Sequence, residues 1–110
     1  MTEEQARRVL GLVGLGLRAR TAVVGTAQVR AAVRQGQVKI ALVAGDAAAN
    51  SRDKLLPLLR ARRVRVVEDF SASQLGAVAG RGQTAAIGVV DPSLAKGILG
   101  VVDAGLTRPA

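Results

Sequence analysis

The segment Gly25-Thr26-Ala27-Gln28-Val29-Arg30 holds the residue types from which an anion-contacting helix start is made. A helix that opens at Gly25-Thr26 leaves its first N–H groups unpaired and presents the positive end of its dipole. That end suits a phosphate, or entry into a nucleic-acid groove. Gln28 carries both a donor and an acceptor, so it can read a base edge. Arg18, Arg20, Arg30 and Arg34 lie close by in the sequence and can supply the charge that positions a phosphate backbone. An ordinary amphipathic helix with a solvated polar face uses the same residues, so the segment alone leaves both possibilities open.

The distribution of charge favours a polyanion. Residues 1–65 carry 13 basic and four acidic side chains, residues 66–110 three and four, and the net charge is +8. No acid lies between Glu4 and Asp46. A lopsided positive field attracts nucleic acid above other partners. A GC-rich genome raises Arg everywhere, but it does not strip acids from one stretch. A second cluster, Arg60, Arg62, Arg63 and Arg65, ends the third helical segment, where cations also complement a helix C-terminus.

Other chemistries are poorly served. There is no Cys and no His, which removes the thiol nucleophile, the commonest metal ligand and the commonest general base. Asp46 and Asp91 each follow a strand pattern and together could hold a divalent cation, yet a polar turn and a helix cap explain them equally well. Gly14-Leu15-Gly16-Leu17-Arg18-Ala19 matches a dinucleotide-binding fingerprint in form. It sits within a helical pattern, however, with no acid about 20 residues on. Phe70 is the only aromatic residue, so stacking several bases on aromatic rings is excluded. No apolar run has the length of a membrane span, and the acidic Met1-Thr2-Glu3-Glu4 start lacks the order of a signal peptide, so the expected location is the cytoplasm.

The elements that must position these residues alternate. Thr2-Glu3-Glu4-Gln5 reads as a capping box for a first helix whose apolar stripe runs through Val9, Val13 and Leu17. Gly11, Gly14 and Gly16 within it signal close backbone packing or an early end. Strands are expected over 21–24, 39–44, 64–67 and 84–90. Helices are expected from Thr26 to a cap at Gly36, from a cap at Asn50 or Ser51 through Leu59 with a kink or restart at Pro57, from Ser71 to Gly80, and onward from Asp91-Pro92. The final residues, 107–110, are expected to fray. Alternation of helix and strand over 110 residues predicts one α/β domain, a three-layer α/β/α sandwich.

Taken in order, these segments resemble the kink-turn-binding ribosomal protein family, the L-seven-Ae and L-thirty-e group, and most of all its small bacterial YlxQ-like members. The resemblance rests on Val13-Gly14-Leu15-Gly16-Leu17-Arg18-Ala19, on Val23-Val24-Gly25-Thr26, and on Leu42-Val43-Ala44-Gly45-Asp46-Ala47 followed by Asn50-Ser51-Arg52-Asp53-Lys54-Leu55. It continues through Leu75-Gly76, Gly80-Arg81, Ile87-Gly88-Val89-Val90-Asp91 and Ala95-Lys96. It implies a mixed four-stranded sheet and a non-enzymatic chain, without cofactor or metal, that binds sharply bent RNA. The contacts it implies fall on Gly25, Thr26, Ala27, Gln28 and Arg30, flanked by Arg18, Arg20 and Arg34, and on the loop 68–71 with Phe70 and Ser71. Where the family's strongest RNA readers carry Asn-Glu and Lys, this chain has Ala27-Gln28 and Ala31, and Glu68 and Asp69 add negative charge to a loop that is usually apolar. The expected partner is structured RNA of kink-turn or ribosomal type, with the ribosome as its setting and a monomer as the working state. The alternative is a protein-docking module of the same fold that has lost specific kink-turn recognition.

Overall fold

Apolar residues in the two central strands occupy every position, which requires cover on both faces. Ile40–Val43 (β2) and Ala86–Val89 (β4) are buried throughout, while Ala22–Val24 (β1) and Arg65–Val67 (β3) are only partly covered and lie at the sheet edges. The strand order is β1-β4-β2-β3. β4 runs antiparallel to both neighbours, with Val24 opposite Ile87 and Val43 opposite Ala86, and β2 pairs parallel with β3. These features come from a computed structural model, which describes the backbone of residues 1–107 and side chains through Ala104.

Five helices cover the sheet: α1 (Glu3–Arg18), α2 (Thr26–Arg34), α3 (Ala49–Ala61), α4 (Ala72–Ala79) and α5 (Pro92–Thr107). Strand alternation sorts them into two layers. Ile40, Leu42, Ile87 and Val89 face Val9 and Val13 of α1, Leu75 of α4 and Ile98 of α5. Ala41, Val43 and Ala86 face Val29 and Val33 of α2 and Leu55 and Leu59 of α3. This is the expected α/β/α sandwich around a mixed four-stranded sheet.

Local chemistry explains most boundaries. Thr2 and Ser71 both form complete capping boxes, with Gln5 and Gln74 returning a hydrogen bond to the cap backbone. The glycines of α1 serve close packing and do not end the helix early: a Cβ on Gly16 would lie 2.6 Å from Leu94 of α5. Three expectations need correction. α3 begins at Ala49, one residue before Asn50, because extended backbone at Ala48 already turns the chain, and no side chain caps it. Pro57 does not restart α3, which runs unbroken to Ala61. The burial of Leu55, Leu56 and Leu59 on one face holds the helix together, while the exposed Pro57 faces water, where a freed carbonyl can be solvated. Strands are one to three residues shorter than the apolar runs predicted. Of residues 107–110, expected to fray, Thr107 still belongs to α5 and 108–110 lie outside the described residues.

Gly76 has no room for a side chain, since a Cβ there would come within 1.5 Å of the Gly82 carbonyl oxygen. Gly76→Ala should therefore destabilise the protein by about 1–3 kcal/mol or more through forced backbone movement. Urea denaturation checks this, and an unchanged midpoint would contradict the packing described.

Candidate nucleic-acid interface

Topology decides which loops meet. Because β1, β2 and β3 point the same way, the turns that lead from them into α2, α3 and α4 all emerge at one edge of the sheet. The antiparallel β4 contributes its first residues to that same edge. Hydrogen bonds stitch the row together: Gly25 N–H to Ala86 O (2.9 Å), Ala44 N–H to Ala85 O (2.8 Å) and Gly45 N–H to Phe70 O (3.0 Å). The start of α2 and the 68–71 loop therefore face the same way. They stand about 14 Å apart, across three strand spacings. Between them lies a hollow of about 170 Å³ lined by Asp46, Ala47, Ala48, Ser51, Ala72 and Gln83 to Ala85.

Three helices aim their N-terminal ends at this edge, and none of the three has an acid in its first turn. Their dipoles make the edge receptive to anions even where few cationic side chains stand. The start of α4 is closed: Ser71 Oγ accepts from Gln74 N–H, and Asp46 Oδ1 accepts from Ala72 N–H at 2.7 Å. The start of α2 is open. Gly25 precedes it at φ 97°, a conformation that only glycine adopts freely, and no side chain caps the helix. The N–H groups of Thr26, Ala27 and Gln28 have no partner among the described residues. Ala27 and Gln28 are exposed, and Arg30, one turn further on, is half-buried with its Nε lacking a hydrogen-bond partner among the described residues.

The sequence profile of the Ribosomal protein L7Ae/L30e/S12e/Gadd45 family matches residues 7–98. The chain belongs to this family. A solved structure titled as a protein with unknown function from Bacillus halodurans C is 30% identical, with a TM-score of 0.79, over 86% of this chain and 96% of that one. The Giardia lamblia 15.5kD RNA binding protein shares the fold at a TM-score of 0.77 and 20% identity, over 94% of this chain and 92% of that one. No curated protein matches the chain in sequence. Membership of a ribosomal-protein family accords with a non-catalytic chain.

Within this family member, the residues singled out by sequence divide into three groups. Gly25, Thr26, Ala27, Gln28 and Arg30 stay together at the open start of α2. Arg18, Arg20 and Arg34 do not join them, which corrects the expectation from sequence proximity. Arg18 and Arg20 precede β1 and Arg34 ends α2, so all three lie at the opposite edge of the sheet. Thr21 O accepts from Val90 N–H, whereas Gly25 N–H donates to Ala86 O; the four residues of β4 between those bonds span roughly 13 Å. Phe70 is also corrected. It is 2% exposed and packed into the core beneath α1, α4 and α5, so its ring cannot meet a ligand. Ser71 remains half-buried, with its hydroxyl oxygen engaged as the α4 cap.

The proposed metal pair fails on topology. Asp46 follows β2 and Asp91 follows the antiparallel β4, which puts them at opposite edges. Each is already engaged, Asp46 with Ala72 N–H and Asp91 with Ser93 N–H at 2.9 Å. No group of three or more potential ligands is present among the described residues, and none of the described helices is long and apolar enough to cross a membrane.

Arg52 is the residue that sequence reasoning missed. Its guanidinium donates to Ala44 O at 2.9 Å and reaches Glu68 Oε1 at 2.5 Å, buckling the turn after β2 to the end of β3. Glu68 thereby spends its charge within the protein, while the exposed Asp69 has no ion pair among the described residues. Nothing in the sequence signals a contact between residues 16 apart.

Two further arginines carry backbone strain: Arg20 (φ 61°) and Arg63 (φ 56°) adopt the left-handed conformation. Each costs about 1–3 kcal/mol relative to an unstrained residue. A cation near a helix C-terminus returns about 0.3–1 kcal/mol at an exposed site.

Arg52→Ala should cost about 1–2 kcal/mol, since two backbone carbonyls lose a charged donor in a partly exposed setting. Hydrogen exchange at the Gly45 and Ala72 amides should quicken while β4 amides stay protected; equal protection everywhere would remove the buckle as an organising contact.

Proposed function

We propose that the protein is a non-catalytic RNA-binding protein that meets structured RNA at the N-terminal end of α2. The observation that carries this is the open start of α2, with three unpartnered N–H groups, no cap and no acid in its first turn, in a chain of a ribosomal-protein family. α1 and α4 close their first turns with capping boxes, whereas α2, like α3, has no side-chain cap, and its start is set apart by the glycine at φ 97° that leads into it. The name of the Giardia protein, which shares the fold, supports the same partner class.

Gly25 keeps the approach to the N–H groups free of a side chain, and a phosphate there would accept from the main chain while the dipole favours its charge. Gln28 is the one side chain of the first turn with an amide to offer a base edge. Arg30 adds positive charge one turn along. Ala27 and Ala31 present methyl groups only, so phosphate contacts supply most of the affinity and Gln28 supplies the preference for bent RNA, about 1–3 kcal/mol. Pairing of Glu68 with Arg52 relieves the repulsion that the 68–71 loop would otherwise offer RNA. We place the protein in the cytoplasm as a monomer, on RNA of kink-turn or ribosomal type and without a cofactor. The exposed Asp69, together with exposed methyl groups at Ala27 and Ala31, favours a second reading, docking on a ribosomal or transcription partner.

A titration of a kink-turn RNA and a straight duplex across salt tests the proposal. Both should bind, with affinity falling steeply as salt rises. Gln28→Ala should cut the preference for the kink-turn, and Arg30→Ala should weaken both complexes and flatten the salt slope by nearly one unit. Failure to bind either RNA at low salt would leave protein docking as the better account.

A further inference from the structure

The strained arginines share a setting. α1, α2, α3 and α4 all end in the same hydrogen-bonded cap, in which one residue turns left-handed and the next N–H reaches back five residues. The bonds are Thr21 to Gly16 O (2.8 Å), Gln37 to Ala32 O (3.0 Å), Val64 to Leu59 O (2.9 Å) and Arg81 to Gly76 O (2.8 Å). In α2 and α4 the left-handed residue is Gly36 or Gly80, as the absence of a Cβ favours. In α1 and α3 it is Arg20 or Arg63. With 13 glycines in the chain, composition did not force arginine into those two positions.

The caps of α1, α2 and α3 are spread along the edge where β1, β2 and β3 begin, and α4 ends elsewhere. Ala22, Val89, Ile40 and Arg65 form one register row across the sheet there. Just outside that row stand Arg18, Arg20, Arg34, Lys39 and Arg63, all exposed and none with an ion pair among the described residues. Arg62 also lies here but has a structural task, donating to the Val33 and Arg34 carbonyls at 3.3 and 3.2 Å. Only two acids, Asp91 and Asp103, stand near this edge among the described residues. Asp91 caps the start of α5, Asp103 pairs with Arg65, and the remaining acids sit at the start of α1 or on the turns and helix starts of the other edge.

Stabilising helix ends explains Arg62 and accounts for Arg18 and Arg34. It does not explain Arg20 or Arg63, whose backbone costs exceed what an exposed cation returns at a helix terminus. Strain kept at the two outer caps of this edge, in each case by a guanidinium, indicates a use for the guanidinium outside the fold. We infer that this edge is a second RNA contact, a phosphate-binding rim that grips the backbone of a duplex segment flanking the one met by α2. It rests on the RNA-binding reading above and adds a site to it. The two edges are roughly 13 Å apart across the sheet, so one folded RNA can touch both. The rim reads no bases, because arginines spread over three caps offer charge and forks for phosphate without a groove-entering element.

The test uses the full chain and a straight RNA duplex, with Arg20→Gly, Arg63→Gly and the double variant, and with Arg20→Lys and Arg63→Lys as charge-preserving partners. Each glycine variant should melt a few degrees higher, as relief of left-handed strain requires. Each should also bind the duplex several-fold more weakly at fixed salt, and its log–log salt slope should fall by nearly one unit. The lysine variants should retain the slope. Glycine variants that gain stability yet keep wild-type affinity and slope would overturn the rim while leaving the α2 site standing. Failure of the wild-type chain to bind either the duplex or a kink-turn RNA at low salt would overturn both.

Discussion

The pairing of β4 with both β1 and β2 is the constraint on which the rest of the molecule depends. As an antiparallel strand inserted between two strands that point the other way, it fixes both ends of the sheet. At one end the chain passes from β1, β2 and β3 into α2, α3 and α4, so three positive helix termini gather there. At the other end α1, α2 and α3 finish, so three negative helix termini and their arginines gather there. Burial of every residue of β2 and β4 holds this arrangement in register. A slip by one residue would turn Ile87 and Val89 from the layer of α1, α4 and α5 into that of α2 and α3, which is packed for smaller residues such as Ala41 and Ala86.

The two edges offer an anion different means of attraction. The edge at the start of α2 has few free cations, and Asp46 and Glu68 are spent on Ala72 and Arg52. Its attraction for anions comes from backbone N–H groups and dipoles, which are fixed in direction and need no side-chain ordering. The opposite edge is cationic through long, mobile side chains, which suit a nonspecific grip on a phosphate backbone. A chain that lacks the stronger base-reading residues at positions 27 and 31 can gain affinity from the second kind of contact without changing the first.

Much of the fold was legible because its signals are local. Both glutamine capping boxes, the glycines that end α2 and α4, and Asp91-Pro92 at the start of α5 act within four residues of themselves. The apolar runs located the strands because the central strands are covered on both faces. What escaped was long-range. Phe70 looked available because it follows two acids in a loop, yet the loop turns its ring into the core. Arg18, Arg20 and Arg34 looked like neighbours of Gly25, but strand and helix lengths carry them to the far edge. The left-handed backbone of Arg20 and Arg63 was invisible because arginine gives no sign of it, whereas glycine at the matching position of α2 did.

The central claim is that RNA sits on the open end of α2. Amide chemical-shift mapping during titration with a kink-turn RNA tests it most directly, since it observes the N–H groups themselves. The account predicts that the amides of Thr26, Ala27 and Gln28 move most, that Gly45 and Ala72 move with them, and that the buried β2 amides stay in place. Shifts confined to other faces, with the start of α2 unmoved at saturating RNA, would contradict it.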